Sequence, residues 1–280
     1  MPRFVVALPL SFLTFWRYLL MTPLLAIAAV LCTVLAFVPV LGLLLPGACA
    51  AGMTLIGLRC ALVARGHAGT ILFPGLPTLA LIYSVIVILG GMVAGLAEYA
   101  IIEGLRIAGF AVNEPALKAE FLQLSPTAGA VLFLLILPKL MLSSVLTVPM
   151  TAAAAQGGGA RGMLFGLGQG MLGLCVPLLV WFLLLGVLVG FGDLGRVLRV
   201  GIESIRSGRL DGALLGYGHT LTIFVALLWA SSWFFTTAVL YWEKAEERQA
   251  RRKPAATPRT SAEDLRAWRE AMAQRSARQE

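Results

Sequence analysis

Apolar runs of about twenty residues recur along most of this 280-residue chain, and they limit its fold more than any other feature. A helix of about 20 apolar residues crosses the hydrocarbon core of a bilayer. The chain is 59% apolar and 13% charged, whereas soluble domains are about 45 to 50% apolar and about 25% charged. This composition excludes a soluble fold. Because lipid-exposed backbone must be hydrogen-bonded within its own segment, the sequence predicts an all-α, polytopic transmembrane helical bundle.

Short polar or Gly/Pro breaks divide the apolar sequence into about six predicted spans. Their approximate limits are 19–38, 41–58, 79–97, 128–148, 171–190 and 221–240. The second span is the least secure, because Pro46 and several small residues suit a helix only when it packs against other helices. Pro138 and Lys139 interrupt the fourth span. Together these spans define a predicted transmembrane domain of residues 19–242.

Three other segments are predicted to lie at the membrane surface. Residues 1–18 are too short to span and predict an interfacial N-terminal helix, which is retained because no Ala-x-Ala cleavage signal precedes the next span. Residues 98–127 contain four glutamates and are expected to leave the membrane, with a surface helix over 114–124. Residues 193–209 carry apolar side chains at helical spacing, which predicts an amphipathic helix on the outer surface.

Basic residues give the predicted orientation. Ten of the 22 Lys and Arg residues fall within residues 243–280, and cytoplasmic segments of membrane proteins carry such an excess. The net charge of +8 is therefore attributed to orientation and not to nucleic acid. Six spans place both termini in the cytoplasm, although four arginines of segment 193–209 would then lie outside. The short Pro/Gly hairpins resemble those of uncharacterised bacterial inner-membrane proteins, which suggests the same location and implies no activity.

The cytoplasmic tail, residues 243–280, has two parts. Its first part is basic and is expected to rest on anionic lipid headgroups. Its second part begins with Ser261-x-x-Asp264, which resembles a capping box. A narrow apolar stripe follows at helical spacing, formed by Leu265, Trp268 and Met272. This stripe is the candidate partner-binding surface of the tail; a membrane-surface helix, a docking helix and a solvated nascent helix all stay open.

Lys139 is the first candidate functional residue, because it lies about ten positions from either end of its span. Ionisable groups at membrane depth are functional candidates by default, and an interior-facing position is expected. One interpretation is a counter-charge or anion site in a polar cavity. The other is an ammonium group bonded to Ser143, Ser144 or carbonyls freed by Pro138. Glu98 is the second candidate, either at a solvated helix end or facing an inward cavity.

His219 is the third candidate, at the outer end of the last span; one interpretation is a group that titrates near neutral pH, and the other is an interfacial histidine bonded to water. His67 is predicted to lie at the opposite membrane face, so no shared metal or haem site is expected. The four cysteines lie in or beside apolar segments without a Cys-x-x-Cys motif. They predict buried thiols rather than ligands. No cofactor is expected.

Catalytic motifs are absent from the sequence, including Gly-x-Ser-x-Gly, His-Glu-x-x-His and the P-loop. A glycine stripe of Gly162, Gly166 and Gly170 is interpreted as a helix-packing surface. The segment from Ile71 resembles the segment from Met163, and both an internal duplication and chance similarity between apolar sequences stay open as explanations. Two functional hypotheses follow: a non-enzymatic membrane component that assembles with or regulates a partner protein or a second copy, and a small-solute transporter with a cavity around Lys139. A membrane-embedded enzyme is the third.

Overall fold

The computed structural model describes residues 2–35, 37–110, 125–156, 165–190, 206 and 218–252. Within these ranges the chain forms helices joined by turns, and it contains no strand. The helices are α1 Arg3–Leu35, α2 Pro39–Ala64, α3 Leu76–Ile107, α4 Pro126–Ala155, α5 Met171–Gly190 and α6 Gly218–Arg252. Residues 1–243 form one compact unit and residues 244–280 form a second. The predicted all-α bundle is confirmed.

Five of these helices, α1 to α4 and α6, are long and apolar enough to cross a membrane. The sixth, α5, is apolar but shorter in its described part. The count of about six spans therefore stays a prediction. The surface helix expected over 114–124 lies outside the described residues, and so does the segment 193–209 apart from Arg206.

The helices α2 and α3 both end in a Schellman motif, in which a glycine with positive φ closes the last turn. Gly66 has φ +80° and Gly109 has φ +86°. The amide of Phe110 donates to the Leu105 carbonyl at 3.0 Å, which caps α3. The predicted third span ended at residue 97, but α3 continues to Ile107. The added residues begin with Glu98, for which a helix-end position was one of the two interpretations, and the backbone stop of the helix is Gly109.

The N-terminal helix α1 runs without a break through the predicted boundary between an interfacial helix and the first span. It contains Pro9 and Pro23, and prolines are tolerated in membrane helices where side chains and neighbouring helices satisfy the freed backbone groups. Its first half packs on α6, where the Trp233 indole donates to the Phe4 carbonyl at 2.6 Å. Thr236 also donates to Thr14 at 3.0 Å. These bonds hold the start of α1 against the bundle.

The helix α4 is continuous across Pro138 and Lys139, so the predicted interruption is absent. Ser125 caps its first turn by accepting a hydrogen bond from the Ala128 amide at 3.5 Å. Lys139 lies near the middle of this helix.

Of the glycine stripe predicted before α5, Gly162 lies outside the described residues, and Gly166 and Gly170 lie in turns rather than on a helical packing surface. Residues 165–170 are turns, in which Gly166, Gly168 and Gly170 have φ values of +70°, +72° and +73°. Only glycine adopts this conformation freely. Close contact is nevertheless a reason for glycine at Gly170 and Gly173, because a Cβ atom at either position would overlap the Tyr241 ring.

Fully buried side chains are concentrated at one end of the bundle, termed the arginine end because Arg59 and Arg65 lie there. They come from four helices: Leu55, Leu58 and Leu62 of α2, Val148 and Ala152–Ala154 of α4, Leu174 of α5, and Ala238 and Val239 of α6. At the opposite end, termed the open end, large apolar side chains are exposed: Leu35, Phe37, Val38, Ile107 and Phe110.

Candidate functional site

Two charged candidates from different helices form an ion pair. The Lys139 ammonium lies 2.7 Å from Glu98 Oε2. Lys139 is near the middle of α4, and Glu98 lies nine residues before the end of α3. Pairing of opposite charges is the usual way to hold ionisable groups at membrane depth. The sequence singles out both residues but gives no sign that they form a pair.

The pair lies on the seam between α3 and α4. On one side of it Gly90 contacts Leu142, and on the other side Ile101 and Ile102 pack near Val131. The Lys139 side chain is 52% exposed and the Glu98 side chain 18% exposed. Lys139 is therefore at the edge of the described helices, which differs from the enclosed position expected.

One of the alternative partners proposed for the ammonium is bonded elsewhere. Ser144 donates to the Leu140 carbonyl at 2.7 Å and contacts the Cys175 sulfur at 3.3 Å. The partner that the structure gives Lys139 is the carboxylate of Glu98.

An open strip of α3 lies next to this pair. Gly91 and Gly95 are four residues apart, so they share one face of the helix. A Cβ atom built on either glycine would meet no atom within 4 Å. Glu98 follows Gly95 by three residues on the same side, and the neighbouring Met92 and Leu96 are 65% and 70% exposed. The surface formed by Gly91, Gly95, Glu98 and Lys139 is termed the glycine face.

A second polar cluster ties the turn after α2 to α6. The Arg65 guanidinium binds both carboxylate oxygens of Glu243 at 3.0 Å, and His67 Nε2 lies 2.7 Å from the same carboxylate. The His67 ring also meets the Trp242 ring edge-on, with centroids 5.2 Å apart. The cluster was not predicted from the sequence. The predicted topology does, however, place the turn after α2 and the end of the last span on the same side of the membrane.

Arg59 is the most deeply buried charged residue among those described, with 7% exposure. Its Nη1 donates to the Ala154 carbonyl at 3.0 Å, and its guanidinium carbon lies 4.9 Å from the centre of the Phe73 ring. Its Nε has no hydrogen-bond partner. Arg59 thus joins α2, α4 and the turn before α3, and one of its donors is left unused.

A cavity of about 430 Å³ lies between the helices, and each of the six contributes to its wall. Most of the wall is apolar or aromatic, including Trp181 and Phe235. The hydroxyls of Thr54 and Ser231 each donate to a carbonyl four residues earlier in their own helix, at 2.9 Å. These two hydroxyls therefore have no free hydrogen-bond donor for a bound ligand. Lys139 does not line this cavity.

Other predicted residues lie where the structure gives no side-chain description. His219 belongs to the first turn of α6, but its side chain is outside the description. The tail stripe of Leu265, Trp268 and Met272 is outside the described residues. Within the described residues no three His, Cys, Asp or Glu side chains lie close enough to hold a metal ion.

Comparison with protein-family models, with curated proteins and with solved structures finds no match to this chain. The fold defines the class: long apolar helices with apolar exposed surfaces form a helical membrane bundle. Function has to be argued from the site itself.

Proposed function

We propose that this chain is a non-enzymatic membrane component that assembles with a partner through the glycine face of α3. The partner is a transmembrane helix, from another membrane protein or from a second copy of the chain. The observation that carries the proposal is the coincidence of two open glycines with a half-exposed ion pair on one side of one helix.

The open glycines support close helix contact. In a bilayer the lipid tails are as apolar as leucine, so helices associate through close packing and polar contacts and not through hydrophobic burial. Gly90, which faces α4, is already covered by Leu142. Gly91 and Gly95 likewise lack a side chain, but no side chain of the described residues packs over them. A helix seated there would approach the α3 backbone closely.

The ion pair supports the same surface. A charge exposed to lipid near the bilayer centre costs about 2.5 to 3.5 kcal/mol on insertion scales. The carboxylate of Glu98 offsets part of this for Lys139, but half of the lysine side chain stays uncovered. A partner helix that packs over Gly95 would cover the exposed part of the Lys139 side chain and would form a polar contact with it.

The cavity favours assembly over the transporter hypothesis. Transport of a polar solute through Lys139 requires a polar cavity that reaches this residue. The cavity found within the described helices is walled mainly by apolar groups and does not include Lys139.

A cross-linking experiment in native membranes tests the proposal. The double variant Gly91→Leu/Gly95→Leu fills the glycine face with branched side chains. Because no atom of the described residues lies within 4 Å of a Cβ atom built at either position, the variant should fold normally. The wild type is expected to give cross-linked adducts of defined mass that the double variant loses.

The matched control is Gly104→Leu. Gly104 is equally open, and since it lies nine residues beyond Gly95 it faces the opposite side of the helix. It should keep the wild-type adducts. Equal adducts from the double variant and the control would refute assembly through the glycine face. Light scattering of the purified chain separates a second copy from a different partner.

A further inference from the structure

A second candidate site lies at the central cavity and the arginines near it. None of the residues of the glycine face lines this cavity. The cavity is mainly apolar, and its Thr54 and Ser231 hydroxyls are bonded within their own helices. Apolar cavities stay dry and take up hydrocarbon. A volume of about 430 Å³ is within the range of about 300 to 1,000 Å³ found for ligand pockets.

The cavity has a side wall that faces the surrounding hydrocarbon. Ala50 and Val87 both line it and are both exposed, with Val87 37% exposed. An empty cavity of this size would destabilise the bundle, because its walls lack packing partners. Hydrocarbon entering from the side is the simplest way to fill it.

Positive charge lies beyond the cavity, towards the arginine end. Arg17 precedes the cavity residue Tyr18, and its guanidinium lies near the Cys60 thiol. Cys60 is six residues beyond Thr54, or about 9 Å along α2. Within the described residues, the Nη1 of Arg17 and the Nε of Arg59 are buried without a hydrogen-bond partner.

These two cations also lack an acidic partner in the part of the chain that the structure describes. The ion pairs there join Arg65 and His67 to Glu243, Arg106 to Glu103, and Lys139 to Glu98. Unused guanidinium donors beside a membrane cavity match an anionic phosphate, and basic pockets between transmembrane helices bind anionic lipid headgroups.

We propose that the bundle binds one anionic phospholipid, with its phosphate at Arg17 and one acyl chain in the cavity between the six helices. The headgroup supplies the negative charge that the described chain lacks next to Arg17 and Arg59. The acyl chain fills the apolar space that begins at Tyr18. Zwitterionic lipids fit the cavity and carry the same phosphate, but the cation of their headgroup cancels its charge, so they do not offset the charge of the two arginines.

Quenching of Trp181, which lines the cavity, tests this proposal. The full chain is reconstituted in phosphatidylcholine vesicles that contain a minor fraction of a lipid with brominated chains, either phosphatidylglycerol or phosphatidylcholine. The difference between the wild type and Trp181→Phe isolates the signal of this indole. Brominated phosphatidylglycerol should occupy the site roughly fivefold more readily than brominated phosphatidylcholine, as expected for one basic side chain that attracts a headgroup with a net negative charge.

Two variants separate the headgroup from the chain. Arg17→Gln should abolish the preference for phosphatidylglycerol while chain quenching persists. Ser143→Leu adds a branched side chain to the cavity wall and should reduce Trp181 quenching by both lipids. Thr33→Leu is the control, because Thr33 is exposed on α1 away from the cavity; it should behave as the wild type.

The possible outcomes are distinct. Equal quenching by the two brominated lipids in the wild type would overturn the headgroup site. Unchanged quenching in Ser143→Leu would overturn the acyl-chain site. Loss of the preference on adding inorganic phosphate alone would show an anion site that does not need the lipid chain, which also contradicts the proposal. None of these outcomes depends on the cross-linking result for the glycine face.

Discussion

The arginine end and the open end of the bundle are built from equally apolar helices but are packed very differently. At the arginine end, Leu55, Leu58 and Leu62 of α2 are fully buried. At the open end, Phe37 and Ile107 are 87% and 85% exposed. Because lipid covers apolar side chains as well as protein does, apolarity alone does not decide which surface is packed. Small residues and polar contacts between helices explain why the arginine end is the more tightly packed one.

The largest expected effect comes from a methyl group added at the arginine end. A Cβ atom at Gly57 would overlap the Phe235 ring, and this ring is held by Tyr18 and Phe234 at centroid distances of 5.3 and 5.7 Å. Gly57→Ala should therefore lower the free energy of unfolding by about 1 to 3 kcal/mol. Denaturant titration of the purified chain in micelles measures this.

Gly91→Ala is the matched change towards the open end. No atom lies within 4 Å of the new methyl group, so stability should stay the same or rise slightly, since alanine favours helix over glycine. Equal losses in the free energy of unfolding for Gly57→Ala and Gly91→Ala would contradict the packing difference between the two ends.

The next effect concerns the ion pair, which lies between the two ends. Lys139→Met leaves the Glu98 carboxylate at membrane depth without its partner. The fraction of folded, inserted chain should fall, with a loss of up to about 2.5 kcal/mol. Adding Glu98→Gln should restore most of it, because no charge is then left unpaired. If the double variant is as unstable as the single one, the two residues do not act as a pair.

A smaller effect is expected at the polar cluster of the arginine end. Glu243→Gln removes the two-oxygen contact with Arg65 and the contact with His67. A bidentate, partly buried pair of this kind contributes about 1 kcal/mol. Its counterpart near the open end is Glu103→Gln, which breaks a pair with Arg106, whose side chain is 69% exposed. That change should stay below about 0.5 kcal/mol. The unfolding midpoints of the two variants show whether side-chain ion pairs stabilise the arginine end more strongly than the open end.

The smallest effect on stability is expected from the tail. Trp268→Ala should leave the unfolding midpoint of the membrane helices unchanged, while it weakens binding of the tail to anionic vesicles or to a partner. Tryptophan emission of the full chain, with and without anionic lipid, measures this against the wild type. A lowered midpoint would mean that the tail stabilises the bundle.

Much of the fold was predictable because hydropathy and stop signals are local. Apolar runs placed all six helices, and the position of Lys139 in the middle of its span singled out this residue. Glu98 was a candidate for a different reason, as a charged group at the end of the third span. One local signal was misinterpreted, because Gly166 lies in a turn rather than in a helix.

Tertiary structure alone decided which side chains meet. Glu98 and Lys139 are 41 positions apart, and Arg65 and Glu243 are 178 positions apart. Such pairs depend on the register of one helix against another, and uniformly apolar surfaces in lipid give almost no sequence signal for register. The cavity has the same origin, since each of the six helices contributes only a few of its wall residues. The sequence by itself therefore determined that these helices lie in a membrane, and packing between them determined where charge, open glycine and empty space come together.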